Sequence, residues 1–246
     1  APHVTETLYA AGAGERIVAT VDYSDYPPAA QDLPRIGGYD RFNVERILEY
    51  EPDLVIGWQS GNPAAQLERL RELGLTLYLS EPRSLATIPR SLERFGRLAG
   101  TAAVAAQAAA RFRERLGALR AQYAGRPSID VFYQIWNDPL MTVNGEHLIS
   151  DVIRGCGGSN VFAELDAIAP RISTEAVIAR DPAVIVASGM DEGRPEWLDD
   201  WKQWSQLRAV AGGDLYAIPP QYLQRQTPRI LEGMARLCEQ LVRARQ

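Results

Sequence analysis

The sequence predicts an α/β fold of two lobes, each a mostly parallel sheet flanked by helices, joined by one long α-helix. Three features point there. The stretch Asn43 to Trp58 (NVERILEYEPDLVIGW) recurs without a gap as Ser173 to Ser188 (STEAVIARDPAVIVAS), an offset of 130 residues. Strand and helix patterns alternate on both sides of the chain's middle. Between the two copies, an alanine-rich segment of high helix propensity runs from Thr101 to about Ala124, roughly 35 Å of helix.

The elements follow in order. Thr5 to Ala11 reads as a short helix closed by Gly12, and Arg16 to Val21 as a strand leading into the turn-rich Tyr23–Pro28. The start at Ala1-Pro2-His3, inside a loop before a helix, raises the expectation of a processed N-terminus and of a strand preceding Ala1. The first repeat copy opens with an N-cap, Asn43, carries Glu45 two positions later, stops at Glu51-Pro52 and continues as the apolar run Leu54–Ile56. Pro63 to Leu73 is a helix stopped by Gly74, Leu75 to Leu79 a strand, and Leu85 to Ala99 a helix interrupted by Gly100. Beyond the long helix, Ser128 to Ile135 alternates as a strand and Leu148 to Gly155 is helical. The second copy repeats the phrase with Ser173, Glu175, Asp181-Pro182 and Val184–Val186. Trp197, Trp201 and Trp204 make a helical stripe whose plain reading is packing. Leu215 to Ile218 is the last strand, and a helix capped by Thr227, with Pro228 in its first turn, runs to about Arg243. The lobes are therefore expected at 1–100 and 125–246, with the linker helix at 101–124. One helical strut is stiff and predicts small-angle closure.

With 246 residues, 46% hydrophobic and 23% charged, each lobe can bury its own core. A net charge of −5 argues against nucleic acid or anionic membrane as a partner. No 18-residue apolar run exists to span a bilayer. Cys156 and Cys238 are the only cysteines; the residues leave open one disulfide in an oxidising compartment or two buried thiols.

In open α/β sheets ligands bind beyond the carboxyl ends of the strands. Those ends carry Asp22-Tyr23, Trp58-Gln59-Ser60, Trp136-Asn137-Asp138 and Gln221-Tyr222 with Arg225 close behind, while Tyr39 sits in the Gly-Gly loop. Aromatics with polar neighbours suit a large, flat, amide- or hydroxyl-rich ligand. Catalytic patterns are missing. His3 and His147 belong to no metal motif, His147 reading as a solvated surface residue, and no phosphate loop or nucleophile elbow occurs. Glu45 and Glu175 each sit in a first helical turn, where the macrodipole alone explains a carboxylate. Matched positions in two lobes also make them a pair of acidic posts for a two-fold symmetric, basic partner.

These residues resemble the periplasmic cobalamin-binding proteins of ABC importers, within the helix-linked, two-lobed (class III) solute-binding proteins. The specific pieces are Ala1-Pro2-His3-Val4-Thr5-Glu6, YSDYPP at Tyr23–Pro28, Phe42–Ile47, Pro52–Ile56 ending at Trp58, Cys156-Gly157-Gly158 to Phe162, and Pro228-Arg229-Ile230 before Cys238. The resemblance implies a Cys156–Cys238 disulfide, and Glu45 and Glu175 as docking residues for arginines of the two permease subunits. It places Tyr23, Tyr39, Trp58, Met141 and Arg225 around the corrin ring and its nucleotide loop, with Gln59, Gln221 and Tyr222 serving the polar periphery. It implies a periplasmic monomer whose signal peptide has been removed, with no cofactor, carrying cobalamin or a related corrinoid as transported ligand. The family often has tryptophan where Ala169 stands, an acidic residue at Gln221 and an aromatic at Met141, so a thinner second-lobe wall is expected. A binder of ferric siderophore or haem in the same fold, and more distantly an α/β enzyme, are the alternatives.

Overall fold

The computed structural model describes residues 1–189 and 193–246. Their chain forms two compact units, residues 1–82 with 86–112, and residues 83–85 with 113–246. The first unit contains α1 (Pro2–Ala10), α2 (Val44–Glu49), β1 (Val55–Trp58), α3 (Ala64–Glu72), β2 (Leu77–Ser80) and α4 (Thr87–Leu98). The 22-residue α5 (Ala102–Tyr123) begins in this unit and ends in the second. Its buried positions Ala105, Ala109, Phe112 and Leu116 fall three and four apart, the single apolar stripe expected of an amphipathic helix.

The first unit's sheet is a parallel pair, Val55 opposite Leu77 through Trp58 opposite Ser80. Phe42, Ile47, Leu67 and Leu70 pack on one side, and Val4, Leu92, Phe95, Ala105 and Ala109 form a second cluster. The strand expected over Arg16–Val21 is not there. A short 3-10 turn covers Gly14–Arg16, and only Thr20 bridges, to Arg35. The residues of Arg16–Val21 are strand-formers, but the bridge continues no further, so the segment makes no ladder. It lines a groove of about 310 Å³ together with Leu54–Ile56 and Phe95.

The second unit holds β3 (Ile129–Gln134), α6 (Leu148–Gly155), β4 (Gly158–Asn160), α7 (Thr174–Arg180), β5 (Val184–Ala187), α8 (Arg208–Ala211), β6 (Leu215–Ala217), α9 (Pro220–Leu223) and α10 (Ile230–Arg243). Its four strands are all parallel in the order β4-β3-β5-β6. β3 and β5 are buried almost throughout, although only β5 reads as a continuous apolar run, β3 carrying Asp130 and Gln134. Trp201 is buried against Phe132, with Trp197 and Trp204 packed on the same cluster, so the tryptophan stripe is core. Thr227 does not cap α10. Its side chain is fully buried, and Arg229 holds the N-cap position. Cys156, ending α6, is bonded to Cys238 of α10.

The repeated phrase folds the same way twice. Asn43 Oδ1 accepts the Arg46 N–H at 2.9 Å, and Ser173 Oγ accepts the Ala176 N–H at 3.2 Å. Glu51 and Asp181, equivalent in the repeat, both take left-handed backbone (φ 43° and 40°) before proline. Each phrase thus places one reversed residue after its helix and launches a parallel strand, fully buried in β5 and half-buried in β1.

Candidate functional site

In the first unit, the carboxyl end of β1 delivers Trp58 and Gln59. Trp58 lies 5.9 Å from the Tyr39 ring, tilted by 50°, and takes the His3 ring edge-on at 5.3 Å. Tyr39 is exposed, Gln59 is exposed, and Trp58 is half-buried. The loop is fastened at several points. Gln59 N–H donates to Ser80 O (3.1 Å), and Glu81 accepts from both the Ser60 N–H (2.9 Å) and the Ser60 hydroxyl (3.1 Å). Tyr23 stands on a neighbouring loop with φ 62° and 75% of its surface exposed. A bulky side chain in left-handed backbone is strained, and such strain persists where the surroundings enforce it. Here they do. Arg35 donates to the carbonyls of Val21 (3.1 Å) and Ser24 (3.0 Å), and the Thr5, Thr20 and Ser24 hydroxyls interlock beneath.

In the second unit, β3 ends in a tight reversal. Ile135 N–H donates to Met141 O (3.0 Å) and Met141 N–H to Trp136 O (3.1 Å), so Trp136 and Met141 stand side by side. Trp136 is 39% exposed, its indole N–H turned to Asp138 O at 2.9 Å. The sequence located Trp136 at a strand end, but its pairing with Met141 depends on the backbone reversal, which no local signal announced. Gln221 and Tyr222 lie on α9, with Arg225 just after it. The Arg236 guanidinium covers one face of the Tyr222 ring at 4.2 Å. Gly233 of α10 approaches so closely that an added Cβ would lie 2.5 Å from Tyr222 O. Below, Tyr133 is hydrogen-bonded to Ser188 (2.6 Å), and Ser188 donates to Ile218 O (2.7 Å). Burial pushes the Tyr133 phenol up to about 12 against the opposing pull of Ser188 and Gln224, so it stays neutral.

The two histidines are structural. Burial lowers His3 to about 3 and His147 to about 4. His147 is not a solvated surface residue but the N-cap of α6, its Nδ1 accepting the Ile149 N–H at 3.1 Å. Histidine is an unusual cap, and the sequence offered no reason to expect it. Among the described residues no cluster of His, Cys, Asp and Glu could hold a metal ion. None of their helices is long and apolar enough to cross a membrane.

Glu45 and Glu175 are both exposed in the first turns of α2 and α7. Its own backbone N–H and the Ser173 hydroxyl hold the Glu175 carboxyl below the usual range. Glu45 borders an open depression of about 800 Å³ that Arg41, Arg46 and Arg69 also line, so its surroundings are mixed in charge rather than acidic. The 310 Å³ groove contains none of the candidate ligand residues.

A family model described as periplasmic binding protein matches residues 1–222. The vitamin B12-binding protein of Vibrio cholerae is 38% identical over 242 residues, covering 98% of this chain and 87% of the relative. That of Yersinia pestis is 36% identical over 240 residues, covering 98% and 84%. The crystal structure of the periplasmic vitamin B12 binding protein of Vibrio cholerae superposes with a TM-score of 0.91 at 38% identity, covering 100% of this chain and 96% of that one. The periplasmic haem-binding protein from Roseiflexus in apo form has a TM-score of 0.87 at 24% identity, covering 100% and 97%, a likeness of fold.

Proposed function

We propose that this chain, which belongs to the periplasmic binding protein family, captures cobalamin in the periplasm and hands it to an ABC importer. The observation that carries the reading is the Tyr39–Trp58 pair held at the carboxyl end of β1, in a chain 38% identical to a vitamin B12-binding protein over nearly its whole length. A corrin is broad and apolar on its faces and amide-rich at its rim. Tyr23, Tyr39 and Trp58 offer it aromatic surface from the first lobe, and from the second Trp136 offers a ring with the Met141 thioether beside it. Gln59, Gln221 and Tyr222 meet rim amides, and Arg225 meets the phosphodiester of the nucleotide loop. Trp136 thickens the wall that Met141 alone would leave thin.

In this reading the lobes span 1–100 and 125–246 with the linker helix at 101–124, and the chain works as a monomer. Glu45 and Glu175 dock to arginines on the two permease subunits. The Cys156–Cys238 bond suits an oxidising compartment. No step requires chemistry from this protein; transport is driven by the importer's ATP hydrolysis.

Titration with cyanocobalamin, followed by tryptophan fluorescence, tests the reading. Saturable quenching at micromolar ligand or below is expected. No response to cyanocobalamin, with quenching by haem or a ferric siderophore instead, overturns it in favour of the second reading. Against haem stands the use of both histidines in the structure itself, His3 buried at the edge of Trp58 and His147 capping α6.

A further inference from the structure

One side chain, Asn62, ties the two aromatics of the first unit together. Its Oδ1 accepts the Trp58 backbone N–H at 2.6 Å, and its Nδ2 donates to the Tyr39 carbonyl, also at 2.6 Å. Its own backbone N–H returns to Trp58 O at 3.0 Å. The amide orientation follows from chemistry, because an N–H needs an acceptor and a carbonyl needs a donor. Next to it, Gly61 lies flat against the indole. A Cβ built there would come within 1.9 Å of Trp58 Cε3, so the ring rests directly on the glycine backbone. His3 closes the ring's edge, and Glu81 pins Ser60 between the two ends of the loop.

Three bonds from one residue thus join two chain segments that are 19 residues apart, Tyr39 and Trp58, and hold their rings at 50°. Trp58 and Asn62 form the closed turn, and Tyr39 belongs to a loop with no strand of its own at that point. The loop is closed by a Gly37–Phe42 bridge and held to α3, where Gln66 exchanges two hydrogen bonds with the Phe42 backbone (3.4 and 3.0 Å). At Tyr39 itself the tie to the Trp58 turn is the Asn62 amide together with the contact of the two rings. We propose that Asn62 is a positioning residue. It sets the angle between Tyr39 and Trp58, and thereby shapes an angled aromatic surface that suits a puckered corrin with projecting substituents better than a flat porphyrin. Asn62 does not touch the ligand. The inference rests on the cobalamin reading for the ligand's name, but not for the geometry.

The test combines affinity with a signal that needs no ligand. Cyanocobalamin affinity and near-ultraviolet circular dichroism are measured for wild type, Asn62→Ala and Asn62→Asp, and for Asn62→Ala in a Trp58→Ala background. Asn62→Asp keeps the acceptor for Trp58 N–H but sets a carboxylate oxygen against Tyr39 O, so it serves if the alanine variant fails to fold. Either substitution is expected to weaken binding about tenfold, the scale of one or two lost hydrogen bonds, and to alter the Trp58 dichroism. In the Trp58→Ala background the loss of affinity shrinks, because the residue acts through the indole. Unchanged affinity with an unchanged Trp58 signal overturns the proposal. So does an equal loss of affinity in the presence and absence of Trp58. Should wild type bind no cobalamin, the cobalamin reading fails by itself, and the dichroism decides this one: altered by the substitutions it stands, unaltered it falls.

Discussion

Glu51 and Asp181 occupy equivalent places in the repeat with φ of 43° and 40°, yet they are not equally replaceable. Glycine adopts this backbone without the Cβ penalty of about 1 kcal/mol. Asp181 offsets its strain, since its carboxylate accepts the Arg208 N–H at 2.8 Å and Nε at 3.1 Å. Glu51→Gly is therefore expected to raise stability by about 0.5–1 kcal/mol. Asp181→Gly should give no gain, or a loss. Urea unfolding of the two variants distinguishes them, and equal gains would remove the role given to Arg208. The histidines carry a pH prediction. Both native pKa values lie below the unfolded 6.5, so the unfolded chain takes up protons first as pH falls. Their contribution is complete above about pH 6.5 and is lost progressively toward pH 4 for His147 and pH 3 for His3, with a slope up to about 1.4 kcal/mol per pH unit for each. His147→Asn keeps an N-cap acceptor while removing the titration. It should flatten that decline, measured as unfolding midpoint against pH. A residue's exposure and partners were not legible in the sequence: nothing local distinguished the capping His147 from a surface one.

At the scale of elements, the capped helix, acidic-proline stop and apolar strand were legible twice over, because every part is short-range chemistry. Asn43 and Ser173 cap as expected, and α6 matches its predicted span of Leu148 to Gly155. What failed was an element depending on a distant partner. Arg16–Val21 has strand-like composition, but a strand exists only where a neighbour completes its ladder, and here that is one bridge at Thr20. The one-turn helices α8 and α9 were missed for the opposite reason, being too short to show a period. The disulfide joins α6 and α10 across 82 residues, and a loop of that length constrains the unfolded chain strongly. Replacing both cysteines by serine is expected to cost about 4 to 5 kcal/mol in the chain-entropy model. Guanidinium unfolding with and without reductant checks it. A wild type insensitive to reductant would show the bond to be inert.

For the whole molecule, the proposed function can be tested by separating binding from delivery. Trp58→Ala should weaken cyanocobalamin binding by about 10- to 100-fold, the range for an aromatic at the heart of an interface, measured by the same titration. Glu45→Arg combined with Glu175→Arg should leave ligand affinity unchanged and abolish uptake in cells carrying the importer. Intact uptake would reduce both glutamates to helix-stabilising residues. The arginines around Glu45 weaken its acidic field, so Glu175→Arg alone is expected to have the larger effect of the two single changes. Similarity over 98% of the chain to vitamin B12-binding proteins accords with the corrinoid resemblance carried by YSDYPP and the cysteine positions.

The sequence by itself determined the α/β class, the repeated phrase, the 22-residue helix and the family, since these rest on periodicity, capping and motif spacing that local residues encode. The aromatic candidates were legible as well, and two of them, Trp58 and Trp136, stand at the carboxyl ends of β1 and β3. Only the tertiary structure decided which of them meet. Tyr39 reaches Trp58 through the Asn62 amide, Trp136 stands beside Met141 through a backbone reversal, and Tyr222 lies under Arg236. Each of these pairings joins residues through hydrogen bonds or packing set by the fold, and such contacts leave no periodic trace in the chain.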